Sequence, residues 1–133
     1  MIYEENDMTI IEAIDQIDEL EPNMYKLGQK IGWLSRVDAL ITREILDKHE
    51  PDPDAELVPF EGYTEETDQD TILIAPVPYD ELYIYYLEMQ INYNNKEYDK
   101  YNNSALMFQN AFDSFRNFWN RTHMPKAAHN KYY

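Results

Sequence analysis

The side chains in this sequence that could do chemistry are a run of carboxylates, three histidines, and one aspartate where an apolar residue belongs. Asp52-Pro53-Asp54-Ala55-Glu56 has the acid spacing that opens a calcium-binding loop. It departs from that pattern at the sixth position, where Leu57 replaces the glycine needed for the sharp turn. It departs again at the twelfth, where Tyr63 stands in place of the bidentate glutamate. These acids, with Asp68 and Asp70, therefore read as a solvated acidic loop. His49, His123 and His129 are scattered, and a zinc site built on His123 and His129 would need carboxylates from elsewhere. The chain has no cysteine, which excludes disulfides, thiolate metal sites and cysteine nucleophiles. It holds no glycine-rich phosphate loop, no nucleophile elbow and no HExxH pair. No metal, cofactor or enzymatic activity is expected. Asp38 falls on the apolar stripe of a predicted helix. A carboxylate there is costly unless paired or hydrogen-bonded. Either an ion pair with Arg116 or Arg121, or a place at the edge of the stripe, is expected. Catalysis would need a second acid or histidine beside it, and the sequence offers none.

The elements that must position these residues follow from periodicity. Thr9-Ile10-Ile11-Glu12 has the form of a capping box, and Ile10, Ile14, Ile17 and Leu20 continue at helical spacing. This predicts a first helix over 9–20. Pro22 suits the first turn of a second helix, predicted over 22–48 on the stripe Leu27, Ile31, Leu34, Ile41, Ile45. Gly28 and Gly32 inside it either permit close packing or mark an irregular start. His49 complements its C-terminal end, and Pro51 and Pro53 stop it. The segment 50–78 holds five of the seven prolines and reads as a long loop. Leu57–Phe60 and Thr71–Ile74 are β-prone and could form a short hairpin. Asp80 is the expected N-cap of a third helix over 80–94, and Asn94-Asn95 the turn after it. In the fourth, over 96–121, Tyr98, Tyr101, Ala105, Phe108, Phe112, Phe115 and Trp119 repeat with alternating spacings of 3 and 4. Two helices joined by so short a turn pair antiparallel. The fold expected is all-α, a small four-helix bundle in one domain, with a long acidic proline-rich loop and an extended C-terminal tail over 121–133.

Charge and aromatic content bound the function. The net charge is −15, and it resides in the first half. Residues 1–70 contain 20 acids and 5 bases, whereas residues 71–133 contain 6 of each. Such a balance disfavours binding by phosphate neutralisation and docking on anionic membranes. The first residues have neither the basic nor the apolar region of a secretory signal, so a cytoplasmic site of synthesis is expected. From Ser114 onward the sign reverses, with Arg116, Arg121, Lys126 and Lys131 and no acid. Of 19 aromatic residues, 14 fall between Tyr79 and Tyr133. That predicts two surfaces to bury in the second half, one internal and one against another chain.

Three stretches together resemble a known family. They are Trp33-Leu34-Ser35 with Asp38, Ile41, Glu44-Ile45 and His49; Phe60-Glu61-Gly62-Tyr63-Thr64 leading to Ala75-Pro76-Val77-Pro78-Tyr79-Asp80-Glu81; and Tyr98–Ser104 followed by Asn120-Arg121-Thr122-His123-Met124-Pro125. The set, spread over about residues 9–126, resembles the small head–tail connector (adaptor, or head-completion) proteins of tailed bacteriophages and prophages. The resemblance implies a non-enzymatic virion protein, assembled in the host cytoplasm, that forms a ring beneath the portal. Twelve copies are usual. The ring extends the DNA channel, through which DNA passes without specific binding, and receives the next tail or stopper protein. No membrane partner is implied. The tail would dock the portal through Arg121, Thr122, His123, Met124, Pro125, Lys126, Lys131, Tyr132 and Tyr133. The loop, through Phe60, Tyr63, Ile72 and Ile74, would meet a neighbouring copy or the tail side.

The main rival is an acidic DNA mimic that inhibits a host DNA-binding protein. It would array carboxylates regularly on one surface, and the basic tail and aromatic second half argue against it. A helical interaction module of another kind, or an enzyme with an unfamiliar site, are the remaining readings.

Overall fold

The Thr9 hydroxyl accepts the Glu12 N–H at 3.2 Å while the Glu12 carboxylate accepts the Thr9 N–H at 2.9 Å, closing the capping box that starts the first helix. The computed structural model describes residues 7–54 and 58–126. The helices among these residues make the fold all-α: α1 is Ile10–Leu20, α2 Leu27–Glu44, α3 Glu81–Asn94 and α4 Tyr98–Thr122, with a 3₁₀ turn at Leu46–Lys48. The second helix starts later than expected. Pro22 lies in the connection, and the Gln29 side chain accepts the Lys26 N–H at 3.0 Å at the true start. It also ends earlier, at Glu44, before the 3₁₀ turn.

The third helix is the centre of the bundle and packs on the other three. Leu82, Tyr83, Ile84, Tyr86, Leu87 and Ile91 are all buried, on more than one side of it. That burial explains why its apolar residues give no single stripe. Asp80 makes no side-chain cap; the first turn is closed by the Tyr79 and Asp80 carbonyls instead. At the other end Glu97 N–H donates to Asn92 O and Lys96 N–H to Tyr93 O. Those paired bonds form a Schellman stop, with Lys96 at φ 61° in the place glycine usually takes. The following α4 returns antiparallel, burying Phe108, Phe112, Phe115 and Trp119 of the expected seam. Tyr98, at the start of that seam, is exposed. Ser104, one residue before Ala105, is buried, donates to Lys100 O and accepts from Asn92 across the pair.

Among the described residues there is no strand and no hairpin. Ile72 forms an isolated antiparallel bridge with Thr9 rather than pairing with the outgoing arm near Phe60. The reason lies in α1. The first N–H groups of a helix have no partner within it, and here Ile10 N–H donates to Thr71 O and Ile11 N–H to Gln69 O, each at 3.0 Å. Leu73 N–H adds a bond to Met8 O at 2.9 Å. A two-stranded hairpin alone is marginal in water; answering these helix donors is the better use of the same carbonyls.

Two glycines behave differently. Gly62 has φ +87°, and a Cβ there would stand 2.9 Å from Ser35 Oγ, the atom that accepts the Tyr63 N–H at 2.9 Å. Gly32 is exposed on α2, with nothing near its missing Cβ. Gly62→Ala is therefore expected to destabilise by about 1–3 kcal/mol. Gly32→Ala is expected to stabilise by about 0.5–1 kcal/mol. Urea unfolding of both variants checks the contrast, and equal effects would contradict it.

Candidate functional site

The long loop and the end of α4 meet at one end of the bundle and enclose a cleft of about 1330 Å³. One wall comes from the end of α2 and the 3₁₀ turn, through Thr42, Leu46 and His49. A second comes from the loop, through Phe60, Tyr63, Ile74 and Val77. The third is Phe118, Trp119, Thr122, His123 and Lys126. Prolines and aromatic rings make the walls apolar. Asp47, Glu50, Asp54 and Glu61 contribute carboxylates to the lining.

The loop wall is held by Asp38. Its carboxylate is completely buried and accepts the Tyr63 hydroxyl at 2.5 Å, the Tyr83 hydroxyl at 2.6 Å and the Ile74 N–H at 3.2 Å. Tyr83 in turn accepts the Ala75 N–H at 2.7 Å. An ion pair with Arg116 or Arg121 is therefore not what satisfies Asp38. Arg116 pairs with Asp113 at 3.2 Å and lies over the Phe112 ring, and Arg121 is exposed. Two tyrosine hydroxyls and a backbone N–H can answer a buried carboxylate without bringing in a second charge. Burial pushes the Asp38 carboxyl up to about 6, with the Tyr63, Tyr83 and Ile74 hydrogen bonds pulling the other way. Burial likewise pushes the Tyr83 hydroxyl well above its ordinary range, so it remains a donor at neutral pH.

The C-terminal wall is held by histidines. His123 stacks on Trp119 with ring centroids 3.7 Å apart, and its Nε2 is 2.6 Å from Asp52 Oδ1. His49, buried, sets Nδ1 2.7 Å from Ile45 O and Nε2 2.7 Å from Asn120 Oδ1. Beyond the helix, Glu50 N–H donates to Met124 O at 2.7 Å and Lys126 N–H to Lys48 O at 3.0 Å, around an isolated bridge between His49 and Pro125. An extended segment thus lies antiparallel on the start of the acidic loop.

Of the residues singled out from the sequence, Phe60, Tyr63 and Ile74 of the loop and Thr122, His123 and Lys126 of the chain's end line this one cleft. Ile72 is outside it, bridged to Thr9. Arg121 and Thr122 are the last residues of α4, and 123–126 are held on the body, so the tail does not separate from the bundle at Arg121. Met124 is exposed and Pro125 sits against His49. Lys131, Tyr132 and Tyr133 lie outside the described residues. Trp119, Phe118, Asp52 and Asn120 were not marked as site residues by their spacing. Trp119 in particular reads as core, which it is; only the tertiary arrangement exposes one side of it to a cleft. Its indole N–H is buried with no hydrogen-bond partner among the described residues.

Among the described residues no three histidine, aspartate or glutamate side chains are grouped to hold a metal ion. No helix there is long and apolar enough to cross a membrane. No family model matches the chain, and neither a curated protein nor a solved structure is significantly similar to it.

A buried acid with a raised pKa has a defined linkage. Between its ordinary 3.8 and about 6 the folded state keeps the Asp38 proton and the unfolded state releases it. The stability that this provides is complete below the lower value and is lost as pH rises through the upper one. It amounts to roughly 3 kcal/mol. Unfolding free energies of the chain and of Asp38→Asn, measured from pH 3.5 to 7.5, should therefore diverge. The difference should move against the aspartate form as pH rises and level off above pH 7. A difference independent of pH would contradict the assignment. Asp38→Ala, which orphans both hydroxyls and the Ile74 N–H, should cost about 3–5 kcal/mol below pH 4, and less as pH rises through about 6 because the variant lacks the titrating group.

Proposed function

We propose that this chain is a structural head–tail connector protein of a tailed phage or prophage, assembling as a ring beneath the portal. The ring extends the DNA channel and joins the capsid to the next tail or stopper protein. It assembles in the host cytoplasm and resides in the virion. Beside the resemblance in the three sequence stretches, one observation carries this reading. The loop and the chain's end, the two segments the family would use for contacts, come together at one end of a helical bundle around a large apolar cleft with acidic residues in its lining.

The physics of the rest agrees with such a role. An acidic channel surface repels phosphate, so a duplex slides past without adhering. A ring of twelve is the expected copy number, and its neighbours must meet at surfaces where the negative charge is offset. Arg121 and the largely exposed Met124 stand on the described surface close to the cleft and are suited to a portal contact. The segment beyond them, with Lys131, Tyr132 and Tyr133, would extend that contact. The reading makes the protein non-enzymatic and needs no cofactor.

Co-expression with the portal protein of the same source genome, followed by electron microscopy of the purified portal, tests it. A second ring stacked on the portal is expected. Replacing Lys131, Tyr132 and Tyr133 together by serine should reduce its occupancy without changing the chain's thermal unfolding. A bare portal, with this protein soluble and separate at equal expression, would overturn the reading.

A further inference from the structure

We propose that the cleft is a docking groove for an extended, lysine- or arginine-bearing segment of a partner protein, with aromatic or aliphatic side chains between the cations. Charge chooses the cations. Asp47, Glu50, Asp54 and Glu61 line the cleft, and among the described residues none of them has a cationic partner within salt-bridge distance. Among the described residues, the one lysine in the lining is Lys126. The walls choose the residues between the cations, since Phe60, Phe118, Trp119, Val77 and the loop prolines offer apolar surface to side chains of similar kind.

Backbone chemistry chooses an extended conformation. The segment Met124-Pro125-Lys126 already lies antiparallel along Lys48–Glu50, one bond on each side of the His49–Pro125 bridge. It shows an extended chain held by backbone bonds along the foot of the loop. Trp119, more than nine-tenths buried, gives this wall a rigid aromatic surface for an extended chain to lie on.

The chain's own continuation is a poorer occupant. Residues 127–133 hold a single lysine and no arginine, against four lining carboxylates that have no cationic partner among the described residues. A partner segment with several cations matches the groove better. The connector reading supplies only the identity of the donor, a portal or tail component. The groove itself can be tested with no portal present, so a bare portal and an unbound peptide are separate failures.

The probe is a fluorescein-labelled ten-residue peptide with four lysines set between tyrosines and leucines, titrated with the full-length protein by fluorescence anisotropy. Micromolar binding is expected, weakening at least tenfold between 50 and 500 mM salt. Asp54→Lys with Glu61→Lys should weaken it about tenfold or more. Asp15→Lys with Glu19→Lys, on the exposed face of α1 and equal in net charge change, should leave it within about twofold. Circular dichroism confirms that both variants fold. Equal losses in the two double variants would reduce the interaction to bulk attraction by a −15 protein and overturn the proposal. So would absence of binding. A peptide of residues 126–133 that binds as tightly as the probe would assign the groove to the chain's own segment and overturn the partner assignment.

Discussion

The arrangement at the cleft depends on one buried carboxylate. Asp38 sits fully enclosed on α2 and collects donors from two other parts of the chain, Tyr63 and Ile74 on the long loop and Tyr83 on α3. Each donor alone contributes little net stability, because each gives up a bond to water. Together they are what makes a buried charge tolerable, and the dependence runs both ways. The loop is fixed because the carboxylate needs it, and the carboxylate stays ionisable because the loop is there. Gly62 serves the same attachment from one residue upstream of Tyr63. Its left-handed backbone lets Tyr63 turn inward, where its N–H finds Ser35 and its hydroxyl finds Asp38.

A second attachment makes the return arm of the loop part of the bundle. Its carbonyls answer the first N–H groups of α1, a need that every helix has and that solvent commonly meets. The loop is thus clamped at residues 63 and 69–75. The stretch before it, with Pro51, Pro53, Asp54, Val58 and Pro59, is largely exposed. This division gives the cleft one fixed wall and one wall with few packing constraints. Groups that bind ligands are commonly placed in that way, on a segment whose base is rigid and whose edge can adjust.

The helices were legible in the sequence wherever a local signal acts alone. Thr9 and Glu12 mark the start of α1 because capping is chemistry within four residues. The Phe108–Trp119 seam marks α4 because pairing with one neighbour imposes one period. The start of α2 was not legible. Pro22 is compatible with a helix, but nothing local shows that the chain first crosses to where Tyr25 reaches Asn95. Ile72 misled because β propensity is the property of a half-buried surface, and the surface it met was a helix terminus. For the site, Phe60, Tyr63, Ile74, His123 and Lys126 were marked from the sequence, yet their convergence was not. Asp38 was marked as needing a partner, and its partners were missed because a tyrosine hydroxyl forty-five positions away leaves no trace in local spacing. Trp119 hid among core residues for the converse reason. A side chain can satisfy the seam with one face and still line a cleft with its edge.

Charge supplies the last constraint. A chain of −15 is repelled on balance by another copy of itself, and twelve copies would carry a formal −180, twelve times −15. Screening at physiological salt acts over about 8 Å, so distant acids on such an assembly matter little and adjacent ones matter a great deal. Stable contact therefore has to be made where the carboxylates are already engaged or where the partner brings cations. Asp38 and Asp18 are of the first kind, the one hydrogen-bonded by the loop and the other paired with the buried Lys30 at 2.7 Å. The acids lining the cleft are of the second kind. They stand on an apolar surface that rewards contact and carry a charge that repels other acidic surfaces, so the same residues that favour a basic partner exclude the chain's own acidic half.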